Sequence, residues 1–261
     1  YEIRICLVGS EMFIRDRGIM TTQNIQHFFH PESGSLSYVV ADSDTNEAIV
    51  IDPVADYDEE NCKISFESAQ QIIDHVEQNQ LHVTAILETH IHADHLSGSF
   101  YLSKVLQAPI YISDHVKEVY ASCKDDLSLT DLYHFEHFLL ENEQLDFGHS
   151  HIEVLETPGH PPSDLTFKIG DALFVGDSHL HSGEGDSAKD SDPTFESLSK
   201  IYELKDSTEV YLCHNEPSSP DELVYKTTLG DELHDQGSVH QPSAGNPKLP
   251  TPKLILSLIH I

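Results

Sequence analysis

The sequence is poor in basic residues. It has 14 lysines and arginines against 45 aspartates and glutamates in 261 residues, a formal net charge of −31. A charge of this size repels phosphate backbones and anionic lipid, so we expect neither nucleic acid nor a membrane surface as a partner. All three arginines, Arg4, Arg15 and Arg17, lie near the N-terminus, and the chain from Thr21 onward has none.

Cysteines are few, and long apolar runs are absent. Cys6, Cys62, Cys123 and Cys213 form no CxxC pair, which favours reduced thiols in a cytoplasm over a disulfide-stapled secreted fold. No apolar run approaches the roughly 20 residues of a membrane span. The N-terminus also has no uninterrupted signal-peptide core. These absences predict a soluble, cytoplasmic protein.

The two ends of the chain differ from its middle. The opening CLVGSEMFIRDRG and the closing LSLIHI resemble translated sequencing-adapter DNA, so we predict that residues 1–20 and the last residues are not native. Residues 236–261 include a stretch rich in Pro, Ser and Gly without periodicity, which is typical of a flexible tail. A single folded domain is predicted over residues 22–235.

Strands open and close this middle region, with helices between them. Alternation over residues 36–41 followed by EAIVID at 47–52 predicts a hairpin. SFESAQQIIDHVEQN predicts a helix that begins with a capping box of Ser68 and Gln71. Further strands are predicted for VTAILET, APIYIS, HIEVLET, LTFKI, ALFVGD and EVYLCH, and further helices for SGSFYLSKVL, DHVKEVYASC and DPTFESLSKIYEL. The fold class is therefore α/β.

Potential metal ligands follow several of these strands. THIHADH, residues 89–95, places three histidines and one aspartate in seven positions. His90 and His92 lie two apart and can face one ion, while Asp94 and His95 can face a neighbouring one. Imidazole and carboxylate suit zinc or iron better than calcium or magnesium, so this stretch predicts a metal site.

Three later motifs add to this set. They are TPGH with His160, GD with Asp177, and the strand end at His214. The remaining histidines are predicted to be surface or packing residues, among them His75, His134, His137, His149 and His151.

Taken in order, THIHADH, TPGH, GD and the final histidine resemble the signature of the metallo-β-lactamase superfamily. The resemblance implies a four-layer αββα sandwich with a metal site at one edge of the paired sheets. It also implies a set of ligands: His90, His92 and His160 at a first metal position, Asp94, His95 and His214 at a second, and Asp177 as the bridging carboxylate.

The resemblance leaves two reactions open. Two zinc ions on all seven ligands would make a hydrolase of thioesters similar to glyoxalase II, the hydroxyacylglutathione hydrolase. One Fe(II) on His90, His160 and Asp177 would make an oxygenase similar to the persulfide dioxygenases, which oxidise a glutathione-type persulfide to sulfite. Asp177 and Asp94 are the carboxylates that we expect to take part in catalysis.

The wider sequence context favours the oxygenase. YVVADSDTNEAIVIDPVADYD and ILETHIHADHLSG closely resemble the persulfide dioxygenase branch. Glyoxalase II carries a long helical domain after its last histidine ligand, whereas 47 residues follow His214 here. The resemblance leaves open a sulfurtransferase partner and a homodimer.

The chain departs from that branch around the substrate. The branch has an arginine and an Asp-Phe pair after the bridging aspartate, but residues 178–192 contain neither, and Asn215 and Glu216 replace an Asp-Tyr pair. A glutathione carboxylate is best held by an arginine fork, for which Lys189 is a weaker substitute. His179 and His181 are predicted to be loop residues without a role. A third hypothesis is therefore a metal-binding protein that has lost catalysis.

Overall fold

Strands dominate the fold. The computed structural model describes residues 23–58, 60–92, 94–118, 137–157, 164–177, 199–215, 217 and 219–234. Several predictions fall outside these residues, namely those on the two ends (1–20 and 236–261), on His134, His160 and Glu216, on the loop 178–192 with His179, His181 and Lys189, on the second half of the helix DHVKEVYASC, and on the first turns of the helix DPTFESLSKIYEL.

The described residues form fifteen strands. These are β1 (Gln23–His30), β2 (Ser35–Asp42), β3 (Glu47–Ile51), β4 (Val54–Asp58), β5 (Lys63–Ser65), β6 (His82–Leu87), β7 (Leu96–Ser97), β8 (Ile110–Ser113), β9 (His137–Leu139), β10 (Gln144–Phe147), β11 (Ser150–Glu156), β12 (Leu165–Ile169), β13 (Ala172–Phe174), β14 (Glu209–Tyr211) and β15 (Lys226–Thr228).

The described helices are fewer. They are α1 (Glu67–Gln78), α2 (Ser99–Leu106), α3 (Leu229–His234) and a 3-10 turn at Pro220–Glu222, and residues 116–118 and 199–202 are helical as well. None of them is long and apolar enough to cross a membrane.

Two six-stranded sheets organise the domain. The first has the order β1-β2-β3-β6-β8-β9 and the second the order β10-β11-β12-β13-β14-β15, while β5-β4-β7 form a small third sheet. The predicted hairpin is confirmed as β2 and β3, which pair antiparallel. Parallel pairing joins β3 to β6, β6 to β8, and β13 to β14. Parallel neighbours end at the same sheet edge, so the residues after them come together there.

Both faces of the first sheet are buried, as the sequence of β2 illustrates. Tyr38 and Val40 pack in the core between the sheets, whereas Val39 and Ala41 pack in a second core against α1 and α2. Successive side chains of a strand point to opposite faces, so a strand covered on both sides reads as a nearly continuous apolar run.

A third core lies on the outer face of the second sheet. Leu173 and Val210 of this sheet pack there with Ile201 and with Leu229 at the start of α3. The layer order is helix, sheet, sheet, helix, which confirms the predicted αββα sandwich.

The predicted capping box of α1 is wrong. The helix begins at Glu67, and the residue before it, Phe66, makes no side-chain capping bond. Ser68 instead donates its hydroxyl to Asp56 Oδ1 at 2.7 Å and its backbone N–H to Asp56 Oδ2 at 2.9 Å. A carboxylate from β4 thus satisfies the first turn, where negative charge is favourable. The predicted apolar face is confirmed, with Ile72, Ile73 and Val76 buried.

Candidate metal centre

The ends of four strands meet at one edge of the sandwich. Asp52 follows β3, His90 lies shortly after β6, and Asp177 and His214 follow the parallel strands β13 and β14. Backbone hydrogen bonds join the two sheets here, since the Leu36 N–H donates to the Cys213 carbonyl at 2.8 Å. Rigid strand ends therefore position the polar side chains of this edge.

His90 faces Asp177 across the two sheets. Its side chain is fully buried, and its Nε2 lies 3.4 Å from Asp177 Oδ2. Thr89 donates its N–H to Asp52 Oδ1 and its hydroxyl to Asp52 Oδ2, both at 2.7 Å. Because the Thr89 hydroxyl proton is used in this way, its oxygen accepts from His90 Nδ1 at 2.8 Å. The hydrogen bond to Thr89 therefore uses the Nδ1 proton of His90 and leaves Nε2 facing Asp177.

A second group of side chains surrounds Ser35. The Ser35 hydroxyl donates to Asp94 Oδ2 at 2.8 Å and lies 3.0 Å from His95 Nδ1. His214 lies between two carboxylates, with Nε2 2.8 Å from Asp94 Oδ2 and Nδ1 2.8 Å from Asp177 Oδ1. His214 thus connects the Ser35 group to the His90–Asp177 pair.

Charge and burial separate the protonation states of these groups. Burial raises the pKa of Asp177, but contacts with His90 and His214 lower it by more. The pKa therefore lies below its usual range, and the carboxyl stays ionised. Burial lowers the pKa of His214, yet its contacts with Asp177 and Asp94 outweigh this and raise the pKa well above its usual range.

The neighbouring Asp94 and His95 also differ in protonation state. Burial raises the pKa of Asp94, but hydrogen bonds from His214 and His95 bring it far below its usual range. Burial and the nearby His92 lower the pKa of His95 to about 4, so its imidazole is neutral at pH 7.

Three buried imidazole nitrogens suit a metal ion. Within the part of the chain that the structure describes, His90 Nε2, His92 Nδ1 and His95 Nε2 have no hydrogen-bond partner. Buried polar atoms are normally satisfied, and an imidazole lone pair is a good donor to zinc or iron. The residues present therefore fit a metal ion.

Six of the seven predicted ligands lie together at this edge, and His160 is outside the described residues. The rings of His92 and His95 lie 4.2 Å apart between centroids, which places His92 beside the Ser35 group. The assignment of each residue as a ligand stays a prediction.

The family profile described as the metallo-beta-lactamase superfamily matches residues 30–214. The chain belongs to this superfamily. Its fold and the site at its sheet edge are those of a metal-dependent enzyme.

Known relatives of this metallo-β-lactamase domain fall into more than one branch. The beta-lactamase hydrolase-like protein of Xylella fastidiosa is 31% identical over 263 residues, covering 94% of this chain but 61% of that protein. The chain thus spans about three fifths of that relative. The bovine mitochondrial persulfide dioxygenase ETHE1 is 27% identical over 163 residues, covering 62% of this chain and 54% of that protein.

A solved structure supports the fold. The crystal structure of ETHE1 from Myxococcus xanthus superimposes with a TM-score of 0.58 at 21% identity, covering 91% of this chain and 89% of that one. This neighbour supports the fold, and the bovine relative confirms the resemblance of the domain to the persulfide dioxygenase-like branch.

Four residues of the metallo-β-lactamase site were not singled out from the sequence. Asp52, Ser35 and Glu88 hydrogen-bond to the predicted ligands or their neighbours, and the buried Cys213 thiol lies 3.3 Å from Asp177 Oδ1. Asp52 carried one signal, because an acidic residue ends the apolar run EAIVID. Nothing in the local sequence marks the other three.

The histidines predicted to be surface or packing residues lie in such positions where the structure describes them. His75 and His137 contact aromatic rings, and His149 and His151 are exposed and lie beside aspartates.

Proposed function

We propose that this domain is an Fe(II)-dependent oxygenase that converts a low-molecular-weight, glutathione-type persulfide to sulfite. One persulfide, one O₂ and one water give one thiol and one sulfurous acid, which ionises to sulfite and two protons. Iron of a two-histidine, one-carboxylate site supplies open coordination positions for a sulfur and for O₂.

The observation that carries the proposal is the His90–Asp177 pair. The unpartnered His90 Nε2 and the ionised Asp177 carboxylate lie 3.4 Å apart. They are two members of the predicted iron-binding set, and His160 is the third. The similarity to the persulfide dioxygenase branch supports the same set.

The surrounding residues hold this pair in place. Asp52 and Thr89 fix the tautomer of His90. His214 donates to Asp177 and to Asp94. Asp94 therefore influences Asp177 through the imidazole that both carboxylates share. Asp94 thus contributes to catalysis by keeping His214 oriented and charged.

A second candidate is a dinuclear zinc hydrolase of thioesters. The observation that favours it is the pair of unpartnered nitrogens His92 Nδ1 and His95 Nε2, which one iron on His90, His160 and Asp177 does not satisfy. A second ion would satisfy them. The beta-lactamase hydrolase-like relative also supports this candidate.

Metal content distinguishes the two candidates. The protein is purified without oxygen, supplied with both iron and zinc, and analysed by mass spectrometry beside a His95→Ala variant. We expect about one iron per chain in both proteins, because His95 is outside the iron-binding set. Two zinc ions, one of them lost in the variant, together with thioester hydrolysis without O₂, would contradict the oxygenase. Bound metal without turnover of persulfide or thioester would contradict both candidates.

A further inference from the structure

Glu88 is a fully buried carboxylate that neither candidate reaction uses. It directly follows β6, and its side chain is 0% exposed. Burying a charge is costly unless hydrogen bonds compensate it. The hydrogen-bond partners of Glu88 therefore indicate its role in the site.

Three side chains contact the two oxygens of Glu88. The hydroxyls of Ser97 and Ser99 both donate to Oε1. His92 Nε2 lies 3.1 Å from Oε2. Ser97 belongs to β7 and Ser99 begins α2, so Glu88 connects the end of β6 to the two elements that follow the THIHADH turn.

This contact determines which His92 nitrogen faces the site. Oε1 already accepts from two serine hydroxyls, and for Oε2 to accept from His92 the imidazole proton must be on Nε2. When the ring binds a metal ion in place of a second proton, its lone pair is on Nδ1, and Nδ1 is the buried nitrogen without a partner among the described residues.

Among the described residues, Asp52 also lies near this nitrogen, but it is less suited to the role. Its Oδ1 lies 3.4 Å from His92 Nε2, longer than the contact with Glu88. Both oxygens of Asp52 already accept hydrogen bonds from Thr89 at 2.7 Å. Glu88 Oε2 is thus the better acceptor.

We propose that Glu88 is a positioning residue that holds His92 in the Nε2-protonated tautomer, so that the Nδ1 lone pair is presented to the metal centre. The inference rests on the proposed metal centre. In the dinuclear hydrolase Nδ1 would be a metal donor, whereas the iron-binding set of the oxygenase, His90, His160 and Asp177, does not use it. A carboxylate behind an imidazole is a general means of fixing tautomer and ring orientation.

The tautomer can be read directly by NMR of histidine nitrogens in the Zn(II)-loaded, ¹⁵N-labelled protein. We expect a protonated, slowly exchanging Nε2 on His92. Glu88→Gln should keep this signal because its amide carbonyl can still accept. Glu88→Met has similar volume but no acceptor, and should lose it. Ser97→Ala removes a donor to the other oxygen and serves as the matched control, with the His92 signal unchanged.

Zinc affinity of the same variants tests whether Nδ1 is a metal donor. A loss of about 10- to 100-fold in Glu88→Met, with recovery in Glu88→Gln, would identify His92 as a metal donor. Unchanged affinity with a lost tautomer signal would show that Nδ1 is not a metal donor, as the oxygenase requires.

Three results overturn parts of this account. Protonation of Nδ1 in the wild-type protein would overturn the inference without any variant. An unchanged His92 signal and affinity in Glu88→Met would assign the role to Asp52 instead. A wild-type protein that binds neither Zn(II) nor Fe(II) would contradict the metal centre itself, which is a separate failure.

Discussion

Asp177 Oδ1 lies 2.8 Å from His214 Nδ1 because the two residues occupy equivalent positions after two parallel strands. Phe174 at the end of β13 pairs with Tyr211 at the end of β14. Each ligand candidate follows three residues later. The register of the second sheet therefore places a carboxylate beside an imidazole, and the first sheet supplies His90 from the opposite side.

Ser35→Ala should weaken metal binding. The Ser35 hydroxyl contacts Asp94, His95 and His214, so its loss frees three predicted ligands at once. We expect affinity for Zn(II) or Fe(II), measured by competition with a chelator, to fall about 10- to 100-fold. Ser113→Ala removes a buried serine of β8 as a control. Equal weakening in both variants would show a general cost of losing a buried hydroxyl and contradict the role of Ser35.

Much of the architecture could be predicted because it depends on local patterns. The β2–β3 hairpin, the apolar face of α1 and the position of THIHADH after β6 follow from apolar alternation and periodicity over a few residues. The assembly of the site also followed from a simple rule, since several ligand candidates come directly after strands.

The errors and omissions concern contacts between distant residues. The capping box at Ser68 failed because Asp56, 12 residues earlier, provides the acceptor. Ser35 reaches Asp94 across 59 residues and His214 across 179. Local sequence cannot reveal such partners, because they depend on how the two sheets pack. The buried Glu88 was missed for the same reason.

Asp42→Asn should destabilise the fold at neutral pH. Asp42 Oδ1 accepts from the N–H groups of Asp44 and Thr45, and Oδ2 accepts from the His149 N–H and the Ser150 hydroxyl, at 2.9 to 3.1 Å. It thereby joins turns of the two sheets. An amide nitrogen in place of one oxygen removes acceptors, so we expect a loss of about 2 kcal/mol in the free energy of unfolding.

The effect of Asp42 should depend on pH. Burial raises the pKa of Asp42, but its hydrogen bonds lower it overall below the usual value. A carboxyl with a lowered folded-state pKa stabilises fully above its unfolded pKa of about 4 and loses that contribution as the pH falls through the folded value. Urea unfolding at pH 7 and at pH 3 should show the gap between wild type and variant narrowing in acid. An equal gap at both values would contradict this.

Gly148→Ala should cost more than Gly170→Ala. Both glycines have a left-handed backbone, with φ of 57° and 60°, so each substitution should cost about 1 to 2 kcal/mol of unfolding free energy. At Gly148 an added Cβ would also lie 2.1 Å from Thr45 Oγ1, whereas at Gly170 its nearest neighbour is Gln23 Nε2 at 3.1 Å. We expect an extra 1 to 3 kcal/mol at Gly148, roughly, from overpacking. Equal costs in urea unfolding would show that Thr45 moves aside freely.

Oxygen consumption with glutathione persulfide tests the proposed reaction most directly. The protein purified without oxygen and loaded with Fe(II) is mixed with the persulfide in an oxygen electrode, and sulfite is measured at the end. The account predicts one O₂ consumed for each sulfite formed, and loss of both in Asp177→Asn. Absence of oxygen uptake by the iron-loaded wild-type protein would contradict the oxygenase.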